Sequence, residues 1–309
     1  MSVGSATDVT AYKTLPKLSK ASRLPRRFVQ SSNIKYDRLE FRNKLENITK
    51  GSRRNKSRMV LTVHHLGISQ SERILFLCEE LAIDYKIVHH TRDPIAAPES
   101  LKSIPGNSTG KAPFIEDPEA GITLSESAAI CDYILAKNAA GELGSQNLEK
   151  KLAKTYGEPG YVDFVYWYHF SNGTLQALMN RFTFFEIGQI AQENVAQKFS
   201  MHGLHETLKI MDEWLKHNKW LAGEDFTVAD IMSVYSLTSK RYFGPLVSFE
   251  DYPNIVRYLK DIGDRPAYQR AMEKGDPEMK LLLGAEPPKK TLIQAGGVKS
   301  DFWKKRSHI

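Results

Sequence analysis

Gly110-Lys111-Ala112-Pro113, followed thirteen residues after the proline by Glu126-Ser127, is the stretch that decides the fold. Pro113 opens a strand-like run at 112–116, where a proline would normally cost a ladder hydrogen bond. A cis Ala112–Pro113 bond would turn the Ala112 amide and carbonyl outward, and such bonds usually serve a site. An extended peptide can then pair with them as an added strand. Glu126-Ser127 sits where a strand ends and a helix begins. There the carboxylate can hold an ammonium, while the hydroxyl and the helix amides hold a carboxylate.

Working outward, the rest of the unit falls into place. The β-branched run at 60–65 reads as a strand ended by Gly67. Residues 69–83 follow as an amphipathic helix with Ile74, Leu77, Cys78 and Leu81 at helical spacing. A second strand at 85–90, a short helix near 99–103, strands at 112–116 and 122–124, and a helix at 126–137 complete the order. That order, βαβαββα, predicts an α/β thioredoxin-like N-terminal domain over 59–140. Beyond Gly144 the chain reads as an all-α helical-bundle domain over 150–275. Within it, Thr227 and Asp230 have the spacing of a capping box with Phe226 as its apolar staple, a device for stability. Residues 276–309 carry Pro287-Pro288 and Lys-rich polar stretches and are expected to be a loosely ordered tail.

The pairing of Gly-Lys-Ala-Pro with Leu-Ser-Glu-Ser-Ala-Ala-Ile at 124–130 resembles the soluble, cytosolic-type glutathione S-transferases over roughly 215 residues. The resemblance implies that Ala112 pairs with the cysteinyl unit of glutathione and that Pro113 is cis. It implies that Glu126 and Ser127 hold the γ-glutamyl end and that Lys111 is a candidate for the glycyl carboxylate. Related transferases carry an activating Ser, Tyr or Cys between the first strand and first helix, which makes Ser69 the expected catalytic residue. Ser71 is the fallback and His65 a distant one. A competing role for Ser69 is the N-cap of the helix, with Glu72 completing a capping box. The aromatic run Tyr161–Phe185 corresponds to the electrophile-binding helix, with Tyr161 and Tyr168 expected to wall an apolar pocket. Ser171-Asn172-Gly173-Thr174 resembles the Ala-Glu-Gly-Ser of a fungal and bacterial branch, with Asn in place of the acid.

The activity so implied is conjugation of glutathione to an apolar electrophile, with peroxide reduction by the same thiolate as a companion. Glutathione is a co-substrate, and no further cofactor is expected. A homodimer in the cytoplasm follows from the resemblance. The alternative is a non-enzymatic module of the same fold, used for ligand binding or assembly.

Charge and composition narrow the field further. The net charge of +7 resides in residues 1–58, where 15 Lys and Arg face 4 Asp and Glu. The remainder holds 28 basic against 32 acidic residues, so no nucleic-acid footprint is expected there. The leader reads as a basic, disordered tail or a mitochondrial presequence. No apolar run approaches the roughly 18 residues of a membrane span. Cys78 and Cys131 sit among apolar neighbours and read as buried thiols. The pairs His64-His65 and His89-His90 send alternate rings to opposite strand faces, so no metal site is expected.

Overall fold

In the computed structural model, which describes residues 60–147 and 149–305, four short strands form one mixed sheet in the order β2-β1-β3-β4. They are β1 (Leu61–Leu66), β2 (Tyr85–His90), β3 (Phe114–Asp117) and β4 (Ile122–Ser125). β1 runs parallel to β2, with Val63 opposite Ile87, and antiparallel to β3, with Val63 opposite Ile115. The crossover between the parallel pair is helix α1 (Glu72–Leu81), as a parallel connection requires. Helix α2 (Glu99–Lys102) precedes β3, and α3 (Ser127–Ala139) follows β4. This is the βαβαββα order expected from the sequence. The leader and its reading as a presequence lie outside the described residues.

α1 departs from expectation in two ways. It begins at Glu72 rather than Ser69, leaving Ser69-Gln70-Ser71 as a turn before the helix. It is also buried on every side, charged residues included, because helices of the second domain cover the face expected to meet water. Its acids therefore need partners. Glu80 pairs with Arg265, and Glu79 with Arg270 and Lys274.

The helical part consists of α4 (Tyr161–Phe170), a π-helical turn (Ser171–Gln176), α5 (Ala177–Ile187), α6 (Val195–His217), α7 (Val228–Leu237), α8 (Pro253–Gly263) and α9 (Pro266–Gly275). The capping box at α7 forms as predicted: Thr227 caps the helix, and Asp230 accepts the Thr227 amide at 2.8 Å. Asp230 also accepts from the Leu221 amide and the Tyr258 hydroxyl, and its burial pushes its carboxyl up to about 6. Phe76 of α1 meets Phe226 and Tyr268, so one apolar core runs through both halves.

The expected loose tail is corrected for its described part. From Asp276 to Lys305 the chain lies against the body, burying Met279, Leu282 and Leu292. The Tyr242 carbonyl accepts the Leu292 amide, and the Lys280 carbonyl accepts the Tyr242 hydroxyl. Apolar residues spaced among the prolines and lysines supply this anchorage.

Candidate functional site

Three segments distant in sequence meet at the start of α1. The first is the turn Ser69-Gln70-Ser71, the second the junction of β4 with α3 at Glu126-Ser127, and the third the π-helical turn after α4. Arg73 joins them. Its Nη1 donates to Gln70 Oε1 at 3.1 Å, Ser127 Oγ at 3.1 Å and Asn172 Oδ1 at 3.0 Å. Gln176 Nε2 donates to the same Gln70 oxygen at 3.0 Å. Arg73 is fully buried, and among the described residues no carboxylate bonds it. Burial pushes its guanidinium down to about 10, still charged at neutral pH. The π turn falls at this junction, where such irregularities often mark sites.

The Ala112–Pro113 bond is cis. The β3 ladder starts at Phe114, which leaves Ala112 beyond its end. Asn107 Nδ2 donates to the Lys111 carbonyl at 3.1 Å and holds the approach to the proline, while the Lys111 side chain is exposed. Glu126 is exposed with φ at 72°, a left-handed value that non-glycine residues seldom adopt. Such strain persists where the surroundings enforce it, commonly at ligand sites. The turn sets Glu126 outward while Ser127, 2% exposed, points to Arg73.

Ser69 does not form the competing capping box. Its Oγ accepts the Ser71 amide at 3.2 Å and lies 2.6 Å from Ser71 Oγ. Glu72 instead accepts from Ser239, and burial raises its carboxyl to about 8. Behind the two serines, Ser71 Oγ lies 2.9 Å from His65 Nδ1, and His65 Nε2 lies 3.1 Å from Asp276 Oδ2. The other ring of that pair, His64, faces the opposite side and bonds His90 and Glu116. Among the described residues no cluster of His, Cys, Asp and Glu has the form of a metal site. Both cysteines are free and buried, and desolvation raises their thiols.

Two further buried cations stand near this turn. Arg92 donates to the carbonyls of Gly67 and Ile68. Lys240, pushed down to about 7 by burial, donates to Thr183 and Gly244. None of the bonds of Arg92 or Lys240 among the described residues goes to a carboxylate, and the acid that meets the segment is Asp276, which accepts the Ile68 amide.

The two expected pocket tyrosines stand two turns apart along α4. Tyr168 is buried, stacks on Phe164, and donates its hydroxyl to the Ala128 carbonyl and Asp132. It ties α4 to α3 and is 8% exposed. Tyr161 meets Tyr156 edge-on at the far end of α4, about 16 Å from Asn172 at 1.5 Å per residue. A cavity of about 440 Å³ lies elsewhere, between α5, α6 and the segment 244–248, where Phe182, Phe185 and Met201 stand beside Glu186, Lys198 and His205.

Residues 69–137 match the glutathione S-transferase N-terminal domain, and residues 168–266 the glutathione S-transferase C-terminal domain. Glutathione S-transferase 3 of Schizosaccharomyces pombe is 30% identical over 220 residues, covering 70% of this chain and 88% of its own. Probable elongation factor 1-gamma 1 of Arabidopsis thaliana is 24% identical over 257 residues, covering 75% of this chain and 58% of its own. Among solved structures, a glutathione S-transferase from Actinobacillus pleuropneumoniae superposes with a TM-score of 0.58 at 27% identity, covering 70% of this chain and 93% of its own.

Proposed function

This chain belongs to the glutathione S-transferase family, and on that premise we propose that it joins the sulfur of glutathione to an apolar electrophile. The observation that carries the proposal is the Arg73 bridge, which joins the turn before α1 to Ser127 at the start of α3. In this reading the tripeptide lies extended against the Ala112 backbone as an added strand. Glu126 receives its ammonium, and Ser127 with the α3 amides receives the adjacent carboxylate in the field of Arg73. Lys111, exposed at the edge, takes the glycyl carboxylate.

The sulfur then reaches Ser69. A free thiol titrates near 8.5, so only about 3% is thiolate at pH 7. Making it mostly thiolate needs a shift of roughly two units, or about 2.7 kcal/mol. A hydrogen bond to a charged group contributes about 1.5–3 kcal/mol, and a helix N-terminus about 0.3–1. One hydroxyl at the start of α1 therefore suffices, with the buried Arg73 adding in the same direction. The thiolate attacks the electrophile, the carbon–sulfur bond forms, and the leaving group departs. The same thiolate supports peroxide reduction, and glutathione is a co-substrate with no further cofactor.

The reading includes a cytoplasmic homodimer. Val162, Phe184 and Phe199, each more than two-thirds exposed on α4, α5 and α6, are apolar side chains available for such a contact. No helix among the described residues is long and apolar enough to cross a membrane.

The likeness to an elongation factor 1-gamma protein favours one second reading, an assembly module of the same fold. Steady-state conjugation of glutathione to an aryl halide, run beside retention on immobilised glutathione, separates the two. Turnover with retention supports the transferase. Retention without turnover on any of a panel of electrophiles and peroxides supports the module.

A further inference from the structure

Ser69, Ser71, His65 and Asp276 form one unbroken buried hydrogen-bond chain from the turn before α1 to the end of α9. Successive separations are 2.6, 2.9 and 3.1 Å. The two ends of the His65–Asp276 contact lie 211 residues apart. The backbone closes tightly around it. A Cβ at Gly275 would fall 3.1 Å from the His65 ring, and one at Gly67 would fall 3.2 Å from the Asp276 carboxylate. Both Asp276 oxygens also accept the Ile68 amide, at 3.1 and 3.2 Å.

Counting donors along the chain gives two arrangements. With His65 neutral, Nε2–H donates to Asp276 and Nδ1 accepts the Ser71 proton. The short contact between the serines then requires Ser69 to donate to Ser71, so its proton points inward. With His65 charged, both ring nitrogens donate. Ser71 Oγ accepts from Nδ1 and from the Leu66 amide at 3.2 Å, and donates to Ser69. Ser69 Oγ accepts from Ser71 Oγ and from the Ser71 amide, which fills its lone pairs. Its own proton is the one donor left over, free for an anion beyond it.

We propose that His65, held by Asp276, receives the proton of the glutathione thiol through Ser69 and Ser71. The sulfur–hydrogen bond breaks and its proton passes to Ser69 Oγ. The Ser69 proton passes to Ser71, and the Ser71 proton to His65 Nδ1. Thiol plus neutral imidazole becomes thiolate plus imidazolium, with no change in charge. The new cation lies against the Asp276 carboxylate, and the thiolate accepts from Ser69. After the carbon–sulfur bond forms, the imidazolium proton returns along the chain to the leaving group or to water. His65 and Asp276 are positioning residues in this scheme, since neither touches the sulfur.

The groups facing His65 are compatible with it. His89 of β2 meets its ring edge-on at 5.7 Å, and His90 and His64 stand nearby on the sheet. Burial and the neighbouring imidazoles hold His89 and His90 below the usual histidine range. Glu72 of α1 lies within electrostatic reach of Asp276. Arg92 also lies within electrostatic reach of Asp276.

The inference rests on the glutathione reading above, and the test separates the two. Glutathione is titrated into the full chain at about pH 7.5, where a histidine is ordinarily neutral. Calorimetry in buffers of different ionisation heat counts protons released, and ultraviolet absorbance counts bound thiolate. The expected result is thiolate with far fewer protons released than thiolates formed. Ser71→Ala and Asp276→Asn should restore one proton released per thiolate formed, whatever thiolate fraction the Ser69 hydroxyl alone maintains. His65→Gln should do the same if it folds; the wild-type count decides the matter if it does not. One proton released per thiolate in the wild type would overturn the relay while leaving the transferase reading intact. Absence of glutathione binding would overturn both.

Discussion

Arg73 Nη1 donates to Asn172 Oδ1 across 3.0 Å, so a buried guanidinium of the first domain meets a neutral amide of the second. A carboxylate at that position would satisfy the cation more strongly, since charge-assisted hydrogen bonds are roughly twice as strong as neutral ones. The amide leaves Arg73 with positive potential to spare, directly beneath the place proposed for the γ-glutamyl carboxylate. On the proposed reading, stability is thereby traded for ligand binding.

Asn172→Asp should reverse that trade. Stability should rise, by about 1 kcal/mol after the desolvation cost of the new carboxylate is met. Affinity for glutathione should fall several-fold as the new charge cancels the Arg73 field. Urea unfolding and a glutathione titration measure the two effects. A variant that loses stability would mean that Arg73 is not short of counter-charge.

Glu72 predicts a pH dependence of stability. Its carboxyl is raised to about 8 by burial, so between the unfolded value of 4.5 and 8 the folded chain binds a proton that the unfolded chain has lost. Stability therefore falls as pH rises through that window, and below it the group contributes no pH term. Glu72→Gln should match the wild type near pH 4 and exceed it by about 3–5 kcal/mol near pH 8. Denaturant unfolding at both pH values decides it; a gap that does not widen with pH would exclude Glu72 as its source.

Glu126 separates strain from binding. Its positive φ is one that glycine adopts at no steric cost. Glu126→Ala should keep the strain and lose retention on immobilised glutathione. Glu126→Gly should lose retention equally while being no less stable than Glu126→Ala. Full retention by both variants would remove the carboxylate from the site.

The motifs legible in the sequence are those whose parts lie close along the chain. Ala112-Pro113 with Glu126-Ser127, and Thr227 with Asp230, declare themselves through local backbone rules. The element order βαβαββα follows from strand and helix periodicity. Arg73 left a fainter signal, a charge among Ile74, Leu77 and Leu81 that amphipathic spacing places on solvent. Only the second domain covering α1 makes it a buried bridge. Asp276 left none, because its contact with His65 depends on α9 ending beside β1. Tyr168 reads as a pocket wall from its aromatic surroundings, yet its hydroxyl is drawn to Asp132 on α3, which no periodicity reveals. The tail is misread because Met279, Leu282 and Leu292 are sparse among polar residues, though each finds a buried place.

The account turns on a sulfur lowered in pKa by the Ser69 hydroxyl at the head of α1. The direct measurement is the ultraviolet pH titration of bound glutathione thiolate in the wild type and in Ser69→Ala, with turnover on an aryl halide in parallel. The thiol should titrate roughly two units below its free value in the wild type and return most of the way in the variant. Turnover should fall at least tenfold, while glutathione affinity at about pH 5, where the bound sulfur is a thiol in both proteins, stays similar. Identical titration curves and equal turnover in the two proteins would contradict the account.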